Sequence, residues 1–359
     1  MKLLISQCFL ILILSSTSPA VSGFAGPQEI KSALVDELRL IVQQQEEDQP
    51  GISVLVKKDD EVLFQLSKGL ANKNKDISIA SSTGFRIGSI SKPFTALAVL
   101  KLVEQERLSL NENVTEYFSE LSNVWEDITI EHLLSHRVYI SDDFFADSNL
   151  MLANSSTNKD VIKFLASKNI KVKPREADEA IYCNSCFVLL AEIIAKVSEV
   201  SFSDYLSENI FAPANMKHTY ILEKGGSIKT GDALNFAKTE SFFGINQYTT
   251  GAMAQVSSID DLNHFMVALK SGHIISKNSL SLMTKAYSHG EDGGAFGLGW
   301  VIGWGEQPFY AHGGSQDGYQ TELFFHPKHD LEVAILTNGG DKTYRLQAQI
   351  MRAILDHYH

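Results

Sequence analysis

The chain has 359 residues, 44% of them hydrophobic and 21% charged, with a formal net charge of −12. This is an ordinary globular balance, and the length is ample for a sizeable buried core. The acidic balance and the lack of a long basic run argue against nucleic acid as a partner.

The chain opens with one lysine, Lys2, then an apolar stretch from Leu3 to Leu14, then small residues through Ala25. That order predicts a secretory signal peptide over residues 1–25, with cleavage after Ala20, Gly23 or Ala25. The apolar part is too short for a comfortable membrane span, and no later stretch is longer. A secreted or periplasmic protein is expected, with no stable membrane span once the signal is removed and one domain over 26–359. The mature chain keeps two cysteines, Cys183 and Cys186. In an oxidising compartment they can pair, but at this spacing a regular helix holds the Cβ atoms slightly too far apart. Bonding requires a helix start or a distorted turn, and the sequence leaves both outcomes open.

Pro50 to Ala71 predicts paired strands. Gly51–Val56 and Glu61–Leu66 flank the charged turn Lys57-Lys58-Asp59-Asp60. After a polar loop, Phe85-Arg86-Ile87-Gly88 leads into a helix expected to run from Pro93 to Leu108. Proline suits its first turn, where a missing N–H does no harm. Residues 110–260 are expected to form a mainly helical lobe. Ile128–Leu134 carries a Thr cap and Glu at a helix start, and Ala180–Val197, Phe202–Phe211 and Ile259–Leu269 show helical periodicity. Strand character returns at Gly297–Trp304, Thr321–Phe325 and Leu331–Asn338, and Gln347–Tyr358 closes as a helix. The fold class is therefore α+β: an antiparallel sheet built from N- and C-terminal strands, flanked by helices, plus the helical lobe.

Three short motifs carry chemistry. Ser89 and Lys92 stand three positions apart at a helix entrance, so their Cβ atoms lie roughly 5–6 Å apart on one face. A serine hydroxyl needs an adjacent base, and a desolvated lysine can serve as one. The first helical N–H groups can stabilise an oxyanion. Ser-x-x-Lys also occurs at Ser156 and Lys159, in a polar run that predicts a capped helix start instead. The second motif is Tyr182-Cys183-Asn184, where Tyr182 can shuttle protons beside a lysine and Asn184 can orient lysine and substrate. The third is His312-Gly313-Gly314-Ser315, whose glycines allow close backbone approach to a ligand and whose Ser315 N–H can point at an oxyanion.

Ser-x-x-Lys, Tyr-x-Asn and His-x-Gly in this order resemble the active-site motifs of the serine β-lactamase and penicillin-binding-protein superfamily. The nearest likeness is to its class C β-lactamase-like branch, which includes D-alanyl-D-alanine carboxypeptidases, D-aminopeptidases and esterases. The words Phe85–Lys92, Leu133–His136, Phe296–Trp300 and Leu336–Asn338 carry the resemblance across the mature chain. It implies a β-lactamase/transpeptidase-like fold, with Ser89 as nucleophile and Lys92 and Tyr182 as the proton-transfer pair. It further implies that Asn184 and His312 contact substrate, with His312 in place of the lysine of Lys-Thr-Gly, and that the Ser89 and Ser315 N–H groups form the oxyanion hole. The implied activity is acyl transfer to water on a small peptide, amide or ester, with no metal or organic cofactor.

Three stretches depart from the family pattern. Arg137-Val138-Tyr139-Ile140 stands where Thr-Ser-Gly-Leu is usual, Met253-Ala254 where a Gly-Gly pair is common, and Cys186 where glycine is frequent. His312 is expected to attract a substrate carboxylate weakly or in a pH-dependent way. That favours peptidase or esterase chemistry over β-lactamase action, and the three departures together point to a divergent substrate pocket. They leave one alternative, a non-catalytic hydrolase-like binding or regulatory protein.

Overall fold

Two consecutive aspartates, Asp59 and Asp60, take left-handed backbone conformations (φ 54° and 63°) and close a tight hairpin. Its strands are β1 (Ile52–Lys58) and β2 (Glu61–Lys68). In the computed structural model, which describes residues 27–121, 124–140, 156–168, 170–236, 248–290, 294–303 and 308–358, this hairpin forms one end of an eight-stranded sheet. The expected signal peptide lies outside the described residues.

The remaining strands in chain order are β3 (Leu70–Asn72), β4 (Ile77–Ser78), β5 (Phe85–Arg86), β6 (Tyr220–Ile221), β7 (Gln255–Ser257), β8 (Ser288–His289), β9 (Ala295–Phe296), β10 (Val301–Ile302), β11 (Tyr310–Gln316), β12 (Tyr319–His326) and β13 (Leu331–Thr337). The large sheet runs β2-β1-β13-β12-β11-β10-β9-β8, antiparallel at every step. N- and C-terminal strands thus meet at β1 and β13, as the sequence predicts, with Ile52 opposite Thr337 and Lys58 opposite Leu331. Every β13 residue is buried because helices cover both faces of the sheet. Burial on both sides is why this strand reads as a continuous apolar run rather than an alternating one.

The helices are α1 (Pro27–Gln43), α2 (Ser91–Glu104), α3 (Ile130–Leu134), α4 (Asn158–Lys168), α5 (Asn184–Ser198), α6 (Phe202–Leu206), α7 (Ile259–Ser271), α8 (Lys277–Met283) and α9 (Asp341–Tyr358). α1 and α9 cover one face, where Leu34, Leu38, Leu346 and Ile350 pack on Val54, Val56, Phe324 and Val333. The other face packs on the second core, in which Leu55, Leu323 and Leu336 join α2 and α5. α2 is buried at eleven of its fourteen positions, so it is a central helix with no solvent face along most of its length.

Five predicted elements differ in detail. The Ala180–Val197 helix starts at Asn184. The Pro93–Leu108 helix starts at Ser91 and ends at Glu104. α9 begins six residues before the predicted start at Gln347. Phe202–Phe211 divides into α6 and a π-helical turn over Ser207–Phe211. The predicted strand at Gly297–Trp304 is strand only at β10: Gly297–Trp300 forms the turn between β9 and β10, where Gly297 N donates to the Trp300 carbonyl and Gly299 takes φ 77°, and Trp304 lies outside the described residues. A Cβ on Gly299 would stand 2.7 Å from Ala96 Cβ and 3.0 Å from the Lys92 carbonyl, so this turn lies directly on α2. α1 was not predicted at all.

Candidate active site

The nucleophile loop is held by sheet contacts on both sides. β5 pairs with β7, and Ile87 N donates to the Gln255 carbonyl at 3.0 Å. The chain then passes through a short 3-10 turn, Gly88–Ile90, into α2. Gly88 takes φ 53°, and a Cβ there would stand 3.0 Å from Ser315 N. β10 pairs only with Tyr310 and Ala311 of β11. Further along β11, Gly314 and Ser315 pack against the 3-10 turn. Gly314 has no room for a side chain, since a Cβ would fall 2.0 Å from the Ile87 carbonyl. Thr321 fixes the contact by donating its hydroxyl to the Ile87 carbonyl at 3.0 Å.

Lys92 is fully buried, and its Nζ sits at the meeting point of the motifs. It donates to Ser89 Oγ at 3.0 Å, to Asn184 Oδ1 at 2.8 Å and to the Ala252 carbonyl at 3.1 Å. It also lies 4.7 Å from the Tyr182 ring centre and 5.7 Å from that of Phe187. Tyr182 and His312 face each other with ring centres 6.2 Å apart. Residues separated by more than 200 positions therefore form one cluster, and Ser89, Lys92, Tyr182, Asn184 and His312 all belong to it. Ser315 brings its backbone, while its side chain accepts from Gln320 Nε2 at 3.0 Å.

His312 is buried and its Nδ1 lies 2.7 Å from the Gly313 carbonyl. A carbonyl only accepts, so Nδ1 carries the proton and Nε2 is left with the lone pair. Burial, then the nearby Lys92 charge, push the imidazole down to about 3 against the smaller opposing pull of the Gly313 carbonyl. His312 is thus neutral through the ordinary pH range. The expected pH-dependent attraction for a carboxylate is corrected to that of an uncharged ring.

The sequence reading assigned no role to His136, Ala252 or the Arg86–Asp317 pair. His136 is buried, stacks on Tyr182 with ring centres 4.8 Å apart, and accepts from Cys183 N at 3.0 Å through Nδ1. Burial, with the Lys92 charge and His312 behind it, holds His136 well below the usual histidine range. Its position directly after the Leu133-Leu134-Ser135 word was the available signal. Ala252 contributes a carbonyl, which carries no side-chain signal. It follows Gly251, where a Cβ would fall 2.2 Å from the Phe187 carbonyl. Ala254, part of the noted departure from Gly-Gly, keeps a left-handed backbone at φ 72°. That conformation costs an alanine about 1–2 kcal/mol relative to a relaxed one. Arg86 and Asp317, both 2% exposed, form an ion pair between β5 and the β11–β12 turn, tying the nucleophile loop to the His312 strand.

Cys183 and Cys186 form a disulfide. Cys183 is the N-cap of α5 and has extended backbone, which is the helix-start geometry that this spacing requires. The second Ser-x-x-Lys behaves as predicted: Ser156 precedes α4, Thr157 and Asp160 bond one another at its start, and Lys159 is exposed. Among the described residues, one set of acidic side chains is spaced for a metal ion: Asp60, Asp330 and Glu332. Lys270 already meets them, 2.7 Å from Asp60 and 3.6 Å from Glu332 and bonded to Asp330, and Lys57 pairs with Glu332 at 3.1 Å. The set is an ion-pair network that includes none of the motif residues.

The beta-lactamase family model matches residues 38–355 of this chain. The chain belongs to the beta-lactamase family. It is 26% identical over 321 residues to Protein flp of Staphylococcus aureus (strain MRSA252), covering 86% of this chain and 63% of that protein, so it spans under two thirds of that relative. It is 26% identical over 325 residues to Penicillin-binding protein 4* of Bacillus subtilis (strain 168), covering 84% and 71%. Among solved structures, the D-amino acid amidase from Ochrobactrum anthropi SV3 superposes with a TM-score of 0.73 at 20% identity, covering 92% of this chain and 99% of that one. This superposition shows that the fold is the β-lactamase/transpeptidase one.

Proposed function

We propose that this protein is an exported serine hydrolase that cleaves an amide, peptide or ester by acylation and deacylation of Ser89. The observation that carries the reading is the buried Lys92 Nζ, 3.0 Å from Ser89 Oγ and held there by Asn184 and the Ala252 carbonyl. Family membership supports it, as do the neighbours: a D-amino acid amidase and EstCE1, a hydrolase with promiscuous acyltransferase activity. To act as the base, Lys92 gives up one proton: its two remaining N–H groups then serve Asn184 and the Ala252 carbonyl, and its lone pair faces Ser89 Oγ.

In this reading Ser89 Oγ attacks the substrate carbonyl and passes its proton to Lys92. The developing oxyanion faces the N–H groups of Ser89 and Ser315, which the close packing of Gly88 on β11 keeps together. Tyr182, beside Lys92, relays a proton to the leaving group, and water then releases the acyl group by the reverse path. A neutral His312 with its Nε2 lone pair offers a hydrogen-bond acceptor, not a charge. This favours amide and ester substrates over those selected by a free carboxylate. The disulfide and the signal-like N-terminus support export to an oxidising compartment. Among the described residues no helix is long and apolar enough to cross a membrane.

The test is a substrate panel: short-chain p-nitrophenyl esters, D-amino-acid amides, D-Ala-D-Ala peptides and a chromogenic cephalosporin. Turnover is expected for the esters or amides ahead of the cephalosporin. It is expected to fall by roughly a thousandfold or more in Ser89→Ala. Equal turnover by both proteins would remove Ser89 from the chemistry.

A further inference from the structure

Tyr182 and Asn184, the two residues that touch Lys92 from the second motif, flank Cys183. Because Cys183 has extended backbone (φ −133°, ψ 105°), side chains 182 and 184 leave the chain on one side and side chain 183 on the other. Toward Lys92 the segment presents the Tyr182 ring and Asn184 Oδ1. Away from Lys92, Cys183 is bonded to Cys186, one turn into α5. Sγ of Cys183 also accepts from Cys186 N at 3.0 Å, so the sulfur caps the helix as well as tethering it. Both cysteines are buried, at 1% and 0% exposure.

The approach to Cys183 is constrained by His136. Its carbonyl accepts from Ile181 N at 3.1 Å, its Nδ1 accepts from Cys183 N at 3.0 Å, and its ring stacks on Tyr182. His136 itself stands at φ 59°, a conformation that favours glycine and holds only where the surroundings enforce it. Two hydrogen bonds and one stack therefore fix the segment on the upstream side of Cys183. On the downstream side the disulfide fixes it to α5.

We propose that the Cys183–Cys186 disulfide is a positioning device that holds Tyr182 and Asn184 against Lys92, so that efficient acylation of Ser89 depends on the oxidised pair. The inference rests on the serine-hydrolase reading above. Misplacement of these groups by about an ångström is enough to cost about 100-fold in rate. The cysteines act through Tyr182 and Asn184 and contact no reacting atom.

The experiment compares oxidised wild type, wild type reduced with dithiothreitol, and a Cys183→Ser, Cys186→Ala double variant. The serine keeps a helix-capping oxygen at position 183. Dithiothreitol supplies two electrons and two protons: the Sγ–Sγ bond breaks, two thiols form, and the reductant closes into its own cyclic disulfide. Two quantities are read. One is the saturation kinetics of Ser89 acylation by a fluorophosphonate probe. The other is amide hydrogen exchange over residues 180–186.

The expected result is a 10- to 100-fold drop in the maximal acylation rate with the half-saturating probe concentration unchanged. Faster exchange at Ile181 and at position 183 should accompany it, and reoxidation should restore both quantities in wild type. An unchanged maximal rate overturns the proposal, as does a loss that falls wholly on half-saturation. If the double variant fails to fold, reduced wild type carries the comparison. If oxidised wild type is never labelled, the hydrolase reading fails and exchange alone decides: unchanged exchange on reduction then overturns the tether as well.

Discussion

The same four-residue spacing, Ser-x-x-Lys, occurs twice in this molecule with opposite outcomes. At Ser156 and Lys159 it opens α4: the lysine is exposed, and neighbouring Thr157 and Asp160 cap the helix. At Ser89 and Lys92 the lysine is wholly buried, and its three hydrogen-bonding partners come from three parts of the chain, Ser89, Asn184 and Ala252. Local spacing is equal in the two. What separates them is where the helix goes: α2 passes through the centre of the protein, so polar groups at its start must find partners inside. The chemistry is thus a consequence of burial, and a motif match alone does not distinguish the two sites.

The sharpest way to break this comparison is to make one substitution at both sites. Lys92→Met keeps an unbranched side chain one atom shorter and removes the base. It is expected to slow acylation of Ser89 by about 10²–10⁴-fold, the usual worth of general-base catalysis. Probe labelling that survives at the wild-type rate would mean that some other group takes the proton.

A smaller effect concerns pH. His136 and His312 are buried with depressed folded-state values, His312 at about 3 against an ordinary 6.5. Below pH 6.5 the unfolded chain takes up protons that the folded chain refuses. Stability is therefore full above pH 6.5 and is lost as pH falls below it, by up to about 1.4 kcal/mol per pH unit for each histidine. Thermal melts between pH 7 and pH 4 are expected to drop more steeply in wild type than in His312→Gln. Parallel curves would show that His312 is not held neutral. The smallest effect is Lys159→Met, which is expected to leave acylation unchanged and stability within about 0.5 kcal/mol, as surface substitutions usually do. A loss there would erase the contrast between the two sites.

Much of the fold was legible because the central strands and long helices carry unambiguous patterns. The β1–β2 hairpin, β13, α5 and α7 all lie where periodicity and turn residues place them. α1 carries its own signal: Leu34, Leu38, Ile41 and Val42 form one apolar stripe at helical spacing, and all four are buried in the structure. The Gly297–Trp304 run holds strand β10 in its second half, but Gly297–Trp300 misled because its glycines make a turn that an apolar pattern does not reveal. In the site, the motif residues were legible and their supports were not. The Ala252 carbonyl has no side-chain signature, and the pairing of Arg86 with Asp317 spans 231 positions. His136 could be seen in the sequence, but its stack beneath Tyr182 exists only once α3 and α5 have packed together.

Acylation places one covalent bond on Ser89 Oγ. Intact-mass spectrometry after brief exposure to a fluorophosphonate probe, followed by peptide mapping, reads it. One adduct per chain is expected, located on Ser89, absent from Ser89→Ala and retained in Ser156→Ala. An unmodified wild-type chain, or an adduct that persists in Ser89→Ala, would contradict the claim that burial of Lys92 makes Ser89 a nucleophile.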